Sequence, residues 1–138
     1  MSERKTADAF DFELEFEVRD YECDLQGVVN NAVYLNYLEH TRHQYLRSRG
    51  IDFAALHEAG CDLIMTRSEV DFKGSLRSGD QFVVLVSLGR ESRLRFVFHQ
   101  MVLRLADRTA ILDARIIGTG LIDGRPGLPD VLQSLMDG

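Results

Sequence analysis

The chain has 138 residues, a formal net charge of −6 and 45% hydrophobic residues, values typical of a single globular domain with a real core. The acidic balance argues against a nucleic-acid-binding protein, which needs a basic surface, and no run of about 18 apolar residues predicts a membrane span. Cys23 and Cys61 show neither metal-site spacing nor a disulfide framework. Because the N-terminus has no apolar signal-peptide core, we expect a cytoplasmic protein with free thiols.

The first predicted element is a strand, which follows a polar segment, residues 1–9, that we expect to be flexible. Within residues 10–19, apolar and charged residues alternate strictly, as in a strand with one buried face. The apolar positions are Phe12, Leu14, Phe16 and Val18, and the charged ones are Glu13, Glu15, Glu17 and Arg19.

A long helix is predicted from about Asn30 to Arg49, where the apolar period changes to that of a helix. Asn30 or Asn31 can cap its start, and Gly50 suits its end. The predicted buried face carries Tyr34, Leu38, Thr41 and Tyr45, and the predicted polar side carries Glu39, Arg42, His43 and Arg47.

After a turn-rich or helical piece at 51–60, four β stretches are predicted at 62–72, 79–89, 92–105 and 108–122, and a short helix at 129–136. Short links between the stretches suit antiparallel neighbours, and a parallel array would need more helices. We therefore predict one α+β domain over residues 1–138, an antiparallel sheet wrapped on one helix. A sheet edge or second apolar stripe left uncovered predicts an oligomer.

The sequence between the first strand and the helix carries the best candidate site. Asp24 and Gly27 precede a helix N-terminus, which bears unpaired N–H groups and partial positive charge. Such a helix end stabilises a developing oxyanion, and a carboxylate beside it can attack a carbonyl or activate water. The alternative interpretation is that Asp24 or an asparagine simply caps the helix.

Other candidate residues allow two interpretations each. The four tyrosines, Tyr34 among them, either pack the helix on the sheet or line a pocket. Arg90 and Arg93, with Arg95 at a predicted turn, are either a solvated rim or contacts for the phosphates of a thioester carrier. The four histidines lack metal-site spacing, so no metal is predicted.

The stretch VRDYECDLQGVVNNAVYLNYLEHTRHQYL, residues 18–46, resembles the signature of the 4-hydroxybenzoyl-CoA thioesterase-like branch of the hotdog superfamily. It is especially similar to plastid acyl-lipid thioesterases and to bacterial 1,4-dihydroxy-2-naphthoyl-CoA thioesterases. Weaker likeness continues at SEVDFKGSLRSGDQFVV and LRFVFHQMVLR. The resemblance implies a hotdog fold, with five antiparallel strands around one long central helix, and homodimers with interface sites that pair into homotetramers.

The resemblance also implies roles for individual residues. Asp24 matches the catalytic aspartate, the Asn31 N–H matches the group that polarises the thioester carbonyl, and Gly27 and Val28 match the turn that shapes the site. Many relatives have histidine at position 31 and proline at position 75, where this chain has Asn31 and Ser75. Another branch uses a helix glutamate, for which Glu39 is the candidate if it faces inward.

Together these observations predict hydrolysis of an acyl-CoA or acyl-carrier-protein thioester, without cofactor, metal or nucleic acid. Asp24 and Asn31 would be catalytic, with Asp24 as nucleophile or general base and the helix N-terminus as the oxyanion site. The predicted substrate-binding residues are Gly27, Val28, Tyr34, Arg90 and Arg93. Two alternatives stay open: a non-catalytic acyl-thioester-binding module, and a hotdog dehydratase or isomerase, which would need a histidine in the site.

Overall fold

The computed structural model describes residues 10–137. Seven helices and strands match the predicted order, and a short helix lies within the piece predicted to be turn-rich or helical at 51–60. The predicted flexible segment 1–9 lies outside the described residues. The strands are β1 Phe12–Glu17, β2 Cys61–Phe72, β3 Gln81–Ser92, β4 Arg95–Arg104, β5 Ala110–Ile122 and β6 Arg125–Pro126; the helices are α1 Asn31–Ser48, α2 Phe53–Glu58 and α3 Asp130–Asp137. The two-residue strand β6 was not predicted.

The strands form one antiparallel sheet in the order β1-β3-β4-β5-β2, with β6 paired to β5. Strands β3, β4 and β5 are consecutive hairpin neighbours, whereas β1 and β2 reach the two edges of the sheet. The predicted α+β class and the five antiparallel strands with one long helix are therefore confirmed.

Helix α1 begins and ends near the predicted residues because Asn30 and Gly50 act as its predicted N-terminal and C-terminal capping residues. The Asn30 side chain accepts a hydrogen bond from the Ala32 N–H at 2.9 Å, and Gly50 follows the last turn with a φ of +79°. The helix buries one face against the sheet, including Tyr34, Leu38 and Tyr45. In the core these side chains meet the inward-facing residues of β3, such as Phe82 and Val84.

Arg42 corrects the predicted polar side of this helix, since it is buried with an exposed fraction of only 8%. Its Nη1 donates to Gln100 Oε1 at 3.0 Å, and Gln100 Nε2 donates to the Leu38 carbonyl at 3.0 Å. The guanidinium also lies 5.9 Å from the centre of the Phe98 ring. Gln100, on the inner face of β4, thus provides a hydrogen-bond partner for Arg42 inside the protein, although arginine is usually found at the surface.

Candidate functional site

A tight turn between the first strand and α1 carries Asp24. Cys23 and Val29 form a β-bridge, the Asp24 N–H donates to the Val28 carbonyl at 2.9 Å, and the Gly27 N–H donates to the Asp24 carbonyl at 3.0 Å. Gly27 closes the turn with a φ of +78°, a left-handed conformation that glycine adopts without strain.

Two contacts hold this turn against the start of α1 and the β2–β3 connection. The Val29 N–H donates to the Leu76 carbonyl at 2.9 Å, and Val28 forms a β-bridge with Arg77. The Leu76 N–H in turn donates to the hydroxyl of Tyr34 in the first helical turn at 3.0 Å. Burial raises the pKa of Tyr34, so this hydroxyl stays neutral at physiological pH.

The Asp24 carboxylate is oriented by its own turn. Its Oδ1 accepts a hydrogen bond from the Gln26 N–H at 2.8 Å and lies 3.5 Å from the Val28 nitrogen. For Oδ2, no hydrogen bond is formed with any residue in the range 10–137. Because Asn30 supplies the cap of α1, Asp24 does not act as the helix cap, and one carboxylate oxygen remains available.

A cavity of about 330 Å³ joins this carboxylate to the helix N-terminus. It is lined by Asp24, Gln26, Val28, Val29, Asn30, Asn31, Tyr34, Gly74 and Ser75. The Asn31 N–H, one of the unpaired donors of a helix start, has no acceptor within the described part of the chain. Asp24, a carboxylate acceptor, and Asn31, the residue with a free backbone donor at the positive end of the helix, therefore line the same cavity.

Four of the predicted site residues, Asp24, Val28, Asn31 and Tyr34, line this cavity, and Gly27 shapes the turn beside it. Gly74 and Ser75 were not predicted as lining residues. There was little reason in the sequence to predict them, because the only feature noted in the connection between β2 and β3 was Ser75, where many relatives have proline.

Arg90 and Arg93 lie elsewhere in the chain's own fold. Arg90 donates to both carboxylate oxygens of Asp137, at 3.3 and 3.1 Å, and to the Arg93 carbonyl at 3.2 Å. Arg93 lines a separate cavity of about 440 Å³ with Arg95 and others. Arg90 is about 30 Å along β3 from Gln81 at roughly 3.3 Å per residue, and the Gln81 end is the one beside the Asp24 turn. One protomer therefore does not bring these arginines to Asp24.

Glu39 is exposed and lines a third cavity, of about 330 Å³, with Arg42, His43 and Phe98 among its neighbours. It does not line the Asp24 cavity. Among residues 10–137 no three His, Cys, Asp or Glu side chains are grouped as a metal site requires, and no helix there is long and apolar enough to cross a membrane.

Comparison of the sequence with known proteins identifies the family of this chain. The model of the thioesterase-like superfamily matches residues 18–135. The acyl-acyl carrier protein thioesterase ATL3, chloroplastic, of Arabidopsis thaliana is 41% identical over 109 residues, which cover 79% of this chain and 57% of that protein. The chain thus spans little more than half the length of this relative.

Solved structures share the fold. The 1,4-dihydroxy-2-naphthoyl-CoA thioesterase Slr0204 from Synechocystis superposes with a TM-score of 0.85 at 18% identity, covering 91% of this chain and 95% of that one. A hypothetical protein from Aquifex aeolicus superposes with a TM-score of 0.82 at 28% identity, covering 91% and 99%. With a family model matching most of its length and a hotdog-type sheet and helix, this chain belongs to the thioesterase-like superfamily.

Proposed function

We propose that this protein hydrolyses acyl thioesters, with Asp24 and the Asn31 N–H as its catalytic groups. The observation that carries the proposal is that Asp24, whose Oδ2 accepts no hydrogen bond from residues 10–137, and Asn31, whose N–H is unpaired among them, line one cavity at the N-terminus of α1. A thioester carbonyl placed there would have a carboxylate at its carbon and a hydrogen-bond donor at its oxygen.

The proposed reaction has two possible forms, which differ in what attacks the carbonyl carbon. As general base, Asp24 takes a proton from water while the water oxygen bonds to the carbon. The carbonyl electrons move to the oxygen beside Asn31 and then return, the C–S bond breaks, and the sulfur leaves as a thiol with the proton. As nucleophile, Asp24 first forms an acyl anhydride and releases a thiolate, which takes a proton from solvent, and water then hydrolyses the anhydride to the free acid and the Asp24 carboxylate.

Isotope labelling identifies a nucleophilic Asp24 whose anhydride is hydrolysed at the Asp24 carboxyl carbon. In a single turnover in ¹⁸O-water, direct attack by water puts ¹⁸O into the released acid. A nucleophilic Asp24 attacked by water at its own carboxyl carbon instead gives an unlabelled acid and leaves ¹⁸O in the protein. Mass spectrometry of the acid and of the Asp24 peptide reads out this difference.

The proposed substrates are acyl-CoA or acyl-carrier-protein thioesters. Support comes from the Arabidopsis relative, named an acyl-acyl carrier protein thioesterase, and from the Synechocystis structure, named a CoA thioesterase. Tyr34, Val28 and the Gly27 turn would contact the acyl–pantetheine junction. Arg90 and Arg93 would reach the carrier phosphates from a second protomer, since they are remote from Asp24 within one chain.

The test is a hydrolysis assay over a panel of aromatic and aliphatic acyl-CoA and acyl-carrier-protein thioesters, with free thiol as readout. Asp24→Asn should keep the fold and reduce turnover by roughly 10² or more, the scale of a general base. The matched control is Asp52→Asn, because Asp52 is exposed and its Oδ1 accepts from the Ala54 N–H at 3.2 Å, the same two-residue spacing as in Asp24.

The control variant should retain wild-type turnover. Turnover that survives in Asp24→Asn would contradict the assigned roles. Binding of the panel without hydrolysis by the wild type would instead favour a non-catalytic acyl-binding module. A dehydratase or isomerase is disfavoured because no histidine is found among the described residues that line the cavity.

A further inference from the structure

Glu22, two residues before Asp24, is a buried carboxylate in a chain whose other acids are mostly exposed. Its exposed fraction is 9%. One of its oxygens, Oε1, accepts two hydrogen bonds of 2.8 Å, from the Tyr37 hydroxyl and from the Arg19 N–H. The Arg19 guanidinium lies 3.7 Å from the other oxygen. Removing a carboxylate from water is costly unless such partners compensate.

The main chain of Glu22 makes a further connection to α1. Its carbonyl accepts a hydrogen bond from the N–H of Asn30, the helix cap, at 3.1 Å. Glu22 thus contacts α1 at two points, at the cap through its carbonyl and about two turns later at Tyr37 through its side chain. Asp24 lies two residues after Glu22, and Asn31 lies one residue after Asn30 and six before Tyr37.

Glu22 and Tyr37 do not share the Asp24 cavity. They line a different cavity of about 490 Å³, together with Arg19, His40 and residues of β1. Burial, and then the hydrogen bond to Glu22, raise the pKa of Tyr37 far above its usual range, so its hydroxyl remains a donor. The pair lines a cavity that shares no lining residue with the cavity at Asp24.

We propose that the hydrogen bond between Tyr37 and Glu22 is a positioning device that fixes the Asp24 carboxylate relative to the Asn31 N–H. This inference rests on the proposed function. Both groups must meet the same carbonyl, and a displacement of about 1 Å between reacting groups costs up to 10²-fold in rate. Glu22 and Tyr37 are positioning residues, because they act through Asp24 and do not touch the thioester.

The test is Tyr37→Phe, which removes one hydroxyl and keeps the ring contacts with Phe16 and Phe82, at 5.4 and 4.8 Å between centroids. We expect kcat to fall about tenfold with KM changed less than about threefold, since the loss concerns transition-state alignment. Tyr45→Phe is the control, because Tyr45 is a buried tyrosine of the same helix remote from the turn. It should match the wild type in kcat even if its thermal midpoint falls as much as that of Tyr37→Phe.

Two further variants separate positioning from simple structural support. Glu22→Gln keeps an Oε1 acceptor for both donors and should retain most of the wild-type kcat, whereas Glu22→Ala should behave like Tyr37→Phe or worse. In the Asp24→Asn background, Tyr37→Phe should cause no further loss of the residual turnover, because the carboxylate being positioned is already gone.

The two proposals fail on different results. A Tyr37→Phe variant with wild-type kcat, or one whose tenfold loss persists in full in the Asp24→Asn background, would overturn the positioning role and leave the proposed function standing. Turnover retained in Asp24→Asn alone would contradict the catalytic role of Asp24, and with it the positioning of that carboxylate.

Discussion

Gly27 and Gly50 adopt nearly the same left-handed backbone, with φ of +78° and +79°, but only Gly27 lies in the turn that carries Asp24. Alanine at either position should cost about 1–2 kcal/mol of unfolding free energy, because a β-carbon strains this conformation. A β-carbon at Gly50 meets open space, and one at Gly27 lies 3.8 Å from Arg77 Nη1, an ordinary contact. We therefore expect Gly27→Ala to lower kcat as well, through a shifted Asp24 turn.

Gly50→Ala is the control for this prediction, since it should lose similar stability in thermal denaturation and keep full turnover. Equal kcat for the two variants would show that the turn tolerates the shift. Comparing the two variants separates the effect on kcat of a substitution in the Asp24 turn from the loss of stability that a strained alanine causes at either position.

Asp24, Gly27 and Asn31 could be proposed as candidates before the structure, Asp24 and Gly27 from their place before a predicted helix start and Asn31 from the family resemblance. The role of Glu22 could not. Its partner Tyr37 is 15 positions away, and nothing in the pattern distinguishes a buried acid from the exposed acids around it. The free Oδ2 of Asp24 likewise depends on the Gln26 N–H taking Oδ1, which is a property of the folded turn.

Gln100 joins α1 to β4 through Arg42 and the Leu38 carbonyl. Burial lowers the pKa of Arg42, and no carboxylate lies within ion-pair distance of it among residues 10–137. Gln100→Leu would leave the guanidinium without its acceptor, so we expect a loss of roughly 1–3 kcal/mol, the desolvation cost of an unsatisfied buried group. Urea denaturation of the variant against the wild type measures this loss.

The double variant Arg42→Met with Gln100→Leu is the matched comparison. Because it removes the charge together with its partner, it should recover part of the lost stability. If the double variant is less stable than Gln100→Leu alone, the guanidinium stabilises the fold through contacts other than this hydrogen bond.

The elements themselves were largely predictable because each carries a local signal. Alternation marked β1, and Asn30 and Gly50 marked the ends of α1. Arg42 was wrongly predicted to lie on the polar side of α1, because the helical pattern treats every charged residue as exposed. Only the packing of β4 against α1 shows that Gln100 faces Arg42. Strand β6 was missed because two residues, Arg125 and Pro126, are too short to show a period.

The sheet has two unlike edges, β1 and β2, and neither is paired with a further strand among residues 10–137. Strand β1 is six residues long and places charged Glu13, Glu15 and Glu17 outward, a common protection against strand pairing. Strand β2 is twelve residues long and bears the exposed apolar side chains Ile64 and Phe72. The sequence predicted that a sheet edge or a second apolar stripe is left uncovered, and only the strand order identifies β1 and β2 as the two edges.

Exposed apolar side chains lie beside Asp24 in the sequence. Tyr21 and Leu25 have exposed fractions of 78% and 107%. A second protomer that covers this surface would exclude water from the site and could supply the remote arginines, as the resemblance-based homodimer and homotetramer would require.

We therefore predict that the protein assembles through β2 and that assembly is needed for turnover. Ile64→Lys places a charge at this edge and should convert the wild-type dimer or tetramer to monomers, measured by size-exclusion chromatography with light scattering. Its turnover should fall with the loss of assembly and recover at higher protein concentration. Val131→Lys is the control, because Val131 is an exposed apolar residue of α3, with an exposed fraction of 51%, away from this edge. A monomeric wild type with full activity would contradict the prediction.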